Sequence, residues 1–157
     1  MRAFRKRRLV HASSRHIVIF LFIILFGIII LFFIGSPKSQ AKNVVEEFYS
    51  YEQDGDFASS WNLLHSEIQA RFSEDQYIER RSNLFLELGI STFQYDLDNI
   101  DVVKNWTTSS VNLSFQEIYK VPVRQIFQSE FGVLTLEQDL YVAEENGEWR
   151  ILWSNDE

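Results

Sequence analysis

Residues 17–34 read IVIFLFIILFGIIILFFI, 18 positions without a polar side chain. A helix rises about 1.5 Å per residue and the hydrocarbon core of a bilayer is about 30 Å thick, so this run is just long enough to span. Its β-branched content is no obstacle in lipid, where helix is the only single-segment way to satisfy the backbone. Six Lys/Arg and no acid occupy residues 1–35, leaving 9 Lys/Arg against 22 Asp/Glu in residues 36–157. Positive charge stays on the cytoplasmic side, so the expected topology has a basic cytoplasmic head over 1–16, a transmembrane helix over 17–35 and an extracytoplasmic domain over 36–157. The run exceeds the roughly 7–15 residues of a signal-peptide apolar region, which favours an anchor over a leader cleaved near Ser39-Gln40-Ala41. The localisation this implies is a cell membrane, single-pass.

The outer part begins helically. Gly35-Ser36-Pro37 ends the span, and from Ser39 the residues Val44, Val45, Phe48 and Tyr51 form one apolar stripe. Gly55 stops that helix. FASSWNLLH then predicts a second helix, with Phe57, Trp61 and Leu64 at helical spacing and His65 at its end. Ser73 with Gln76 three residues on is a capping box opening a third helix, which Gly89 stops. Beyond Gly89 the apolar period falls to 2. FQYDL (93–97), VNLSF (111–115), VLTLEQDLYVAEE (133–145) and EWRILW (148–153) predict strands, the last two joined by the Asn146-Gly147 turn, which needs positive φ at both positions. Trp149, Ile151 and Trp153 then share a face. Three helices followed by four to six antiparallel strands is an α+β pattern.

The helix–DGD–helix opening, the SEDQYIERR segment and the terminal NGEWRILWS strand together resemble the NTF2-like fold. More narrowly, they resemble the N-terminal NTF2-like domain of MecA-type class B penicillin-binding proteins of Gram-positive bacteria, over residues 39–154. The resemblance implies a cone: three helices packed in the hollow of a curved antiparallel sheet. It also implies a non-catalytic spacer or interaction module in cell-envelope work, whose partners are other envelope proteins, a penicillin-binding protein included, or a second copy bound through the sheet. Conjugation and secretion complexes also use NTF2-like domains behind one membrane helix, which gives an alternative setting. In the penicillin-binding proteins a transpeptidase module follows such a domain. No K-T-G accompanies the S-x-x-K match at Ser39–Lys42, which lies at the start of an amphipathic helix, so the residues do not assemble a serine-acylation site.

A second alternative is a small-ligand binder or acid/base enzyme using the cone. His65 is the one histidine outside the basic head and therefore its candidate general base, against the plainer reading of a packed or helix-terminal side chain. Asp96, Asp98, Arg124 and Glu130 fall on strands, where a solvent-facing position is the default because unpaired buried charge is costly. Trp61, Tyr77, Trp149 and Trp153 are the aromatics expected to line the cone or fill the core, and a domain of this size needs such burial for its core. No cofactor is expected. The single outer histidine and absent cysteine give no metal-ligand cluster, and an acidic outer part disfavours nucleic acid.

Overall fold

A computed structural model describes residues 19–25, 35–108, 113–129 and 132–153. The chain divides into two compact units, 1–35 and 36–157. In the first, residues 19–25 are helical and exposed. All of the basic head and the rest of the expected span, 1–18 and 26–34, lie outside the described residues. Among the described residues no helix is long and apolar enough to cross a membrane.

The second unit is α+β, and its described residues form four helices where three were expected. Helix α1 (Pro37–Asp54) starts earlier than its apolar stripe suggests. Ser36 caps it, its Oγ accepting from the Ser39 N–H, and Pro37 occupies the first turn, where a missing N–H costs nothing. Gly55, in the left-handed region at φ 73°, ends it. Its buried stripe is Ala41, Val44, Val45, Phe48, Tyr49 and Glu52, so a carboxylate takes the place expected for Tyr51. The predicted second helix breaks in two. Helix α2 (Phe57–Asn62), capped by Asp56, stops short, and His65 is the N-cap of a one-turn helix α3 (Ser66–Gln69). His65 thus begins a helix and does not end one. Helix α4 (Glu74–Glu87) carries the expected capping box, with Ser73 and Gln76 satisfying each other's backbone N–H.

Among the described residues five strands form one curled antiparallel sheet. They are β1 (Phe93–Leu97), β2 (Asp101–Thr108), β3 (Leu113–Ser129), β4 (Gly132–Glu145) and β5 (Glu148–Trp153). The long β3 pairs with β4 on one side, and on the other with β1 and β2 laid end to end. From Leu97↔Val123 to Asp101↔Lys120 the outer chain advances four residues while β3 advances three. The extra residue acts as a bulge and bends the edge. Pro122 sits opposite this gap. Its carbonyl accepts from the Asp98 N–H at 3.0 Å, so its own nitrogen faces the same side, where the chain leaves the ladder and no donor is required.

On the hollow face, Val121, Val123, Leu140, Val142 and Ile151 are buried against Val45, Phe48 and Tyr49 of α1. The far face is buried too, at Ile118, Ala143 and Leu152. The outer edge of β5 is closed by residues 63–65: the His65 N–H donates to Ile151 O at 2.8 Å and the Ile151 N–H to Leu63 O at 2.9 Å. The Asn146-Gly147 turn forms as expected, at φ 54° and 86°, and the register puts Trp149, Ile151 and Trp153 on one face. A Cβ on Gly147 would meet nothing within 4 Å, so Gly147→Ala tests backbone strain alone. It should cost about 1–2 kcal/mol, read from the denaturant midpoint of residues 36–157.

Candidate functional site

Two helical stripes each carry a charge where an apolar residue is expected. Glu52 continues the Val45–Phe48 stripe of α1, and Arg81 lies one turn from both Tyr77 and Phe85 on α4. The fold brings them together. Glu52 is 0 % exposed, and four hydrogen bonds from three side chains surround its carboxylate. Ser60 Oγ and Tyr77 Oη donate to Oε1 at 2.6 and 2.7 Å, and Arg81 donates to Oε2 through Nε at 2.7 Å and through Nη2. The Arg81 guanidinium carbon lies 5.5 Å from the Phe85 ring centroid and 6.0 Å from that of Phe57, at cation–π distance from both. Burial, together with the Glu52 charge, pushes the Tyr77 hydroxyl well above the usual tyrosine range, keeping it a donor.

Beside this network lies a cleft of about 330 Å³ between α1, α4 and the hollow face of the sheet. Phe48, Phe85, Leu88, Phe127, Leu136 and Trp153 supply apolar walls, with Arg81 at its lining. Two further polar groups of its lining converge on Tyr49, whose hydroxyl accepts from Gln125 Nε2 at 3.3 Å and from Gln138 Nε2 at 2.5 Å. Desolvation by burial holds that hydroxyl protonated. The cleft is rimmed by exposed leucines on two elements: Leu84 (41 %), Leu134 (42 %) and Leu136 (48 %).

The aromatics singled out from the sequence separate. Tyr77 and Trp153 stack, with centroids 5.9 Å apart, and Phe48 meets Trp153 edge-on. Of the four, Trp153 alone lines the cleft. Trp149 sits at the other end of β5, where its Nε1 donates to Gln40 Oε1 at 2.9 Å and its ring meets Tyr119. Trp61 lies on α2, and its carbonyl accepts from Gln69 Nε2.

His65 is not at the base of the cleft. It is buried beyond the sheet edge, with its ring edge-on to Phe115 at 5.8 Å. Its Nδ1 accepts from the Glu67 N–H at 3.2 Å, and its Nε2 lies 3.7 Å from Glu145 Oε1. Ser66 caps the same carboxylate with both its N–H and its hydroxyl. Burial pulls the His65 pKa below its ordinary value, Glu145 opposing this only in part. Protonation at Nδ1 would also forfeit the bond from Glu67.

Asp96 and Arg124 face solvent on the outer side of the sheet, where Arg124 pairs with Glu137 at 2.7 Å and Lys120 with Asp139 at 2.6 Å. Asp98 lies in the connection between β1 and β2, its carboxylate accepting from the Asn99 N–H. Glu130 lies outside the described residues. Among the described residues no group of three or more His, Cys, Asp or Glu is placed to hold a metal ion. No protein-family model matches the chain, and no curated protein matches it.

Glu52→Gln leaves the part-buried Arg81 beside a neutral amide and should cost about 1–3 kcal/mol in chemical denaturation of residues 36–157. Replacing the pair together, Glu52→Leu with Arg81→Met, should cost less than the single change, because no unpaired charge remains. For His65 the sign follows from a folded-state pKa below the unfolded value of 6.5. Below about 6.5 the unfolded chain takes up a proton that the folded one refuses, so stability falls with pH until the folded pKa is reached. His65→Asn keeps an acceptor for Glu67 and does not titrate. The wild-type denaturation midpoint should therefore rise relative to this variant between about pH 5 and pH 7.

Proposed function

We propose that this chain is a single-pass, N-in membrane protein presenting a non-catalytic NTF2-like interaction module in cell-envelope work, in the setting of peptidoglycan synthesis. The observation that carries the interaction reading is the apolar rim: Leu84, Leu134 and Leu136 converge from a helix and a strand around one cleft and lie open to solvent. Clustered exposure of this kind marks a docking surface, where scattered apolar side chains would not. The non-catalytic reading is supported by what the titratable groups near the cleft already do. A carboxylate paired to arginine and holding four donors is a poor base, and the buried histidine lies elsewhere. The NTF2-like reading is supported by helices laid in the hollow of a curled antiparallel sheet in the expected chain order. The envelope setting follows from the resemblance and from the 17–34 run with its basic flank.

A second reading, small-ligand binding, is favoured by the cleft itself, whose volume falls within the range of about 300–1,000 Å³ usual for ligand pockets. Tyr49, Gln125 and Gln138 would fix one polar atom of an otherwise apolar molecule.

The chain has no cysteine, so single cysteines report cleanly. In intact cells an impermeant maleimide should label Ser50→Cys and leave Ser13→Cys unlabelled; the reverse pattern would overturn the topology. A photoreactive side chain at Leu84 or Leu134 should capture an envelope protein, while one at Arg124 on the outer face should not. Equal capture at all three positions, or none, would remove the rim as a docking surface.

A further inference from the structure

We infer that residues 132–139 of β4 are an open sheet edge on which a second copy of the chain docks, antiparallel, about a two-fold axis through Thr135. This rests on the reading of the domain as an interaction module and names the partner it takes.

Strand β5 last pairs with β4 at Leu140↔Trp153. Towards the hairpin, β4 keeps β3 on one side, and among the described residues no strand pairs with its other side. Gly132 to Glu137 are all exposed, with Val133 at 60 %. An unpaired, apolar, β-branched edge is a template for another strand.

The direction of the free backbone groups follows from the register. The Pro122 carbonyl faces β1 and β2, so alternate residues Val123, Gln125 and Phe127 face β4. Their partners Gln138, Leu136 and Leu134 use their backbone groups on β3. The intervening residues Val133, Thr135, Glu137 and Asp139 direct theirs outward.

That edge is self-complementary about Thr135. In this register Thr135 meets Thr135 of the second copy and Val133 meets its Glu137, so every outward N–H and C=O of these three residues finds a partner. Leu134 of one copy then faces Leu136 of the other, twice, on the cleft side, in the closer non-hydrogen-bonded pairing. The acids do not oppose the match. Glu137 is neutralised within its own chain by Arg124. The two Glu137 side chains stand four residues apart along the pair, about 13 Å at roughly 3.3 Å per residue, beyond the screening length of about 8 Å at physiological ionic strength.

The test uses the full chain in native membranes, oxidised with copper phenanthroline. Across the axis, Thr135 Cα atoms would lie about 5.5 Å apart, inside the disulfide range of about 4.4–6.8 Å. Thr135→Cys should run as a covalent dimer and Val133→Cys as a monomer, while the double variant Val133→Cys/Glu137→Cys should crosslink again. Adding Thr135→Pro to that double variant removes an outward N–H that β3 does not use; it should abolish the crosslink and leave the melting temperature within a few degrees. Crosslinking of Thr135→Cys and Val133→Cys alike would show collision without register and overturn the proposal. So would monomers throughout, or a Thr135→Cys bridge to a different protein. If the chain stays monomeric while Leu134 still photocaptures an envelope protein, self-docking falls and the interaction module stands.

Discussion

The helical layer depends on one carboxylate. Glu52 lies out of water between α1, α2 and α4, and each helix contributes to its hydrogen bonds: Glu52 itself from α1, Ser60 from α2, Tyr77 and Arg81 from α4. A buried ion pair of this kind adds little net stability compared with an apolar replacement, because desolvation offsets most of the attraction. It discriminates strongly among arrangements, since a rotation of α4 by one residue would leave both charges unpaired. The rotation that satisfies Arg81 also turns Leu84, Phe85 and Leu88 to the cleft. The position of the apolar rim is thus set by a polar contact deeper in the domain.

The sheet has a comparable organiser in β3. Seventeen residues of one strand serve as backing for β1, β2 and β4. The bulge opposite Pro122 allows its outer edge to be filled by two short strands bent relative to each other, which curls the sheet around α1. Past Phe127, which still pairs with Phe93, the last described residues of β3 pair with the start of β4.

Much of this was legible in the sequence where one local signal decides one local structure. The Ser73–Gln76 box, the Gly55 and Gly89 stops, the Asn146-Gly147 turn and the shared face of Trp149, Ile151 and Trp153 all form as their patterns require. The α+β class follows from the change of period after Gly89. What the sequence did not disclose was decided by tertiary pairing. Strand β2 has Lys104 and Asn105 inside it and no clean alternation, and it exists because β3 offers an edge. The middle of β3 contains a proline, which reads against a central strand until the gap opposite it is known. His65 looks like the end of a helix, because helical spacing continues through Leu64 while the pairing of residues 63–65 with β5 is invisible locally. The Glu52–Arg81 pair did leave a trace: an acid on one apolar stripe and a base on another, with two short helices between them.

The pairing of residues 63–65 with Ile151 also has a kinetic meaning. It joins positions 86 residues apart, His65 to Ile151, across nearly the whole domain. At about 5–20 residues per second, synthesis separates the two partners by roughly 4–17 s. Throughout that interval β5 does not exist, Leu64 and Ile68 have no strand beside them, and the rear of the sheet lacks its last ladder. The core therefore cannot close until the segment of β5 has been made. Every nascent chain passes through a period in which its helical segments have been made and its core is still open.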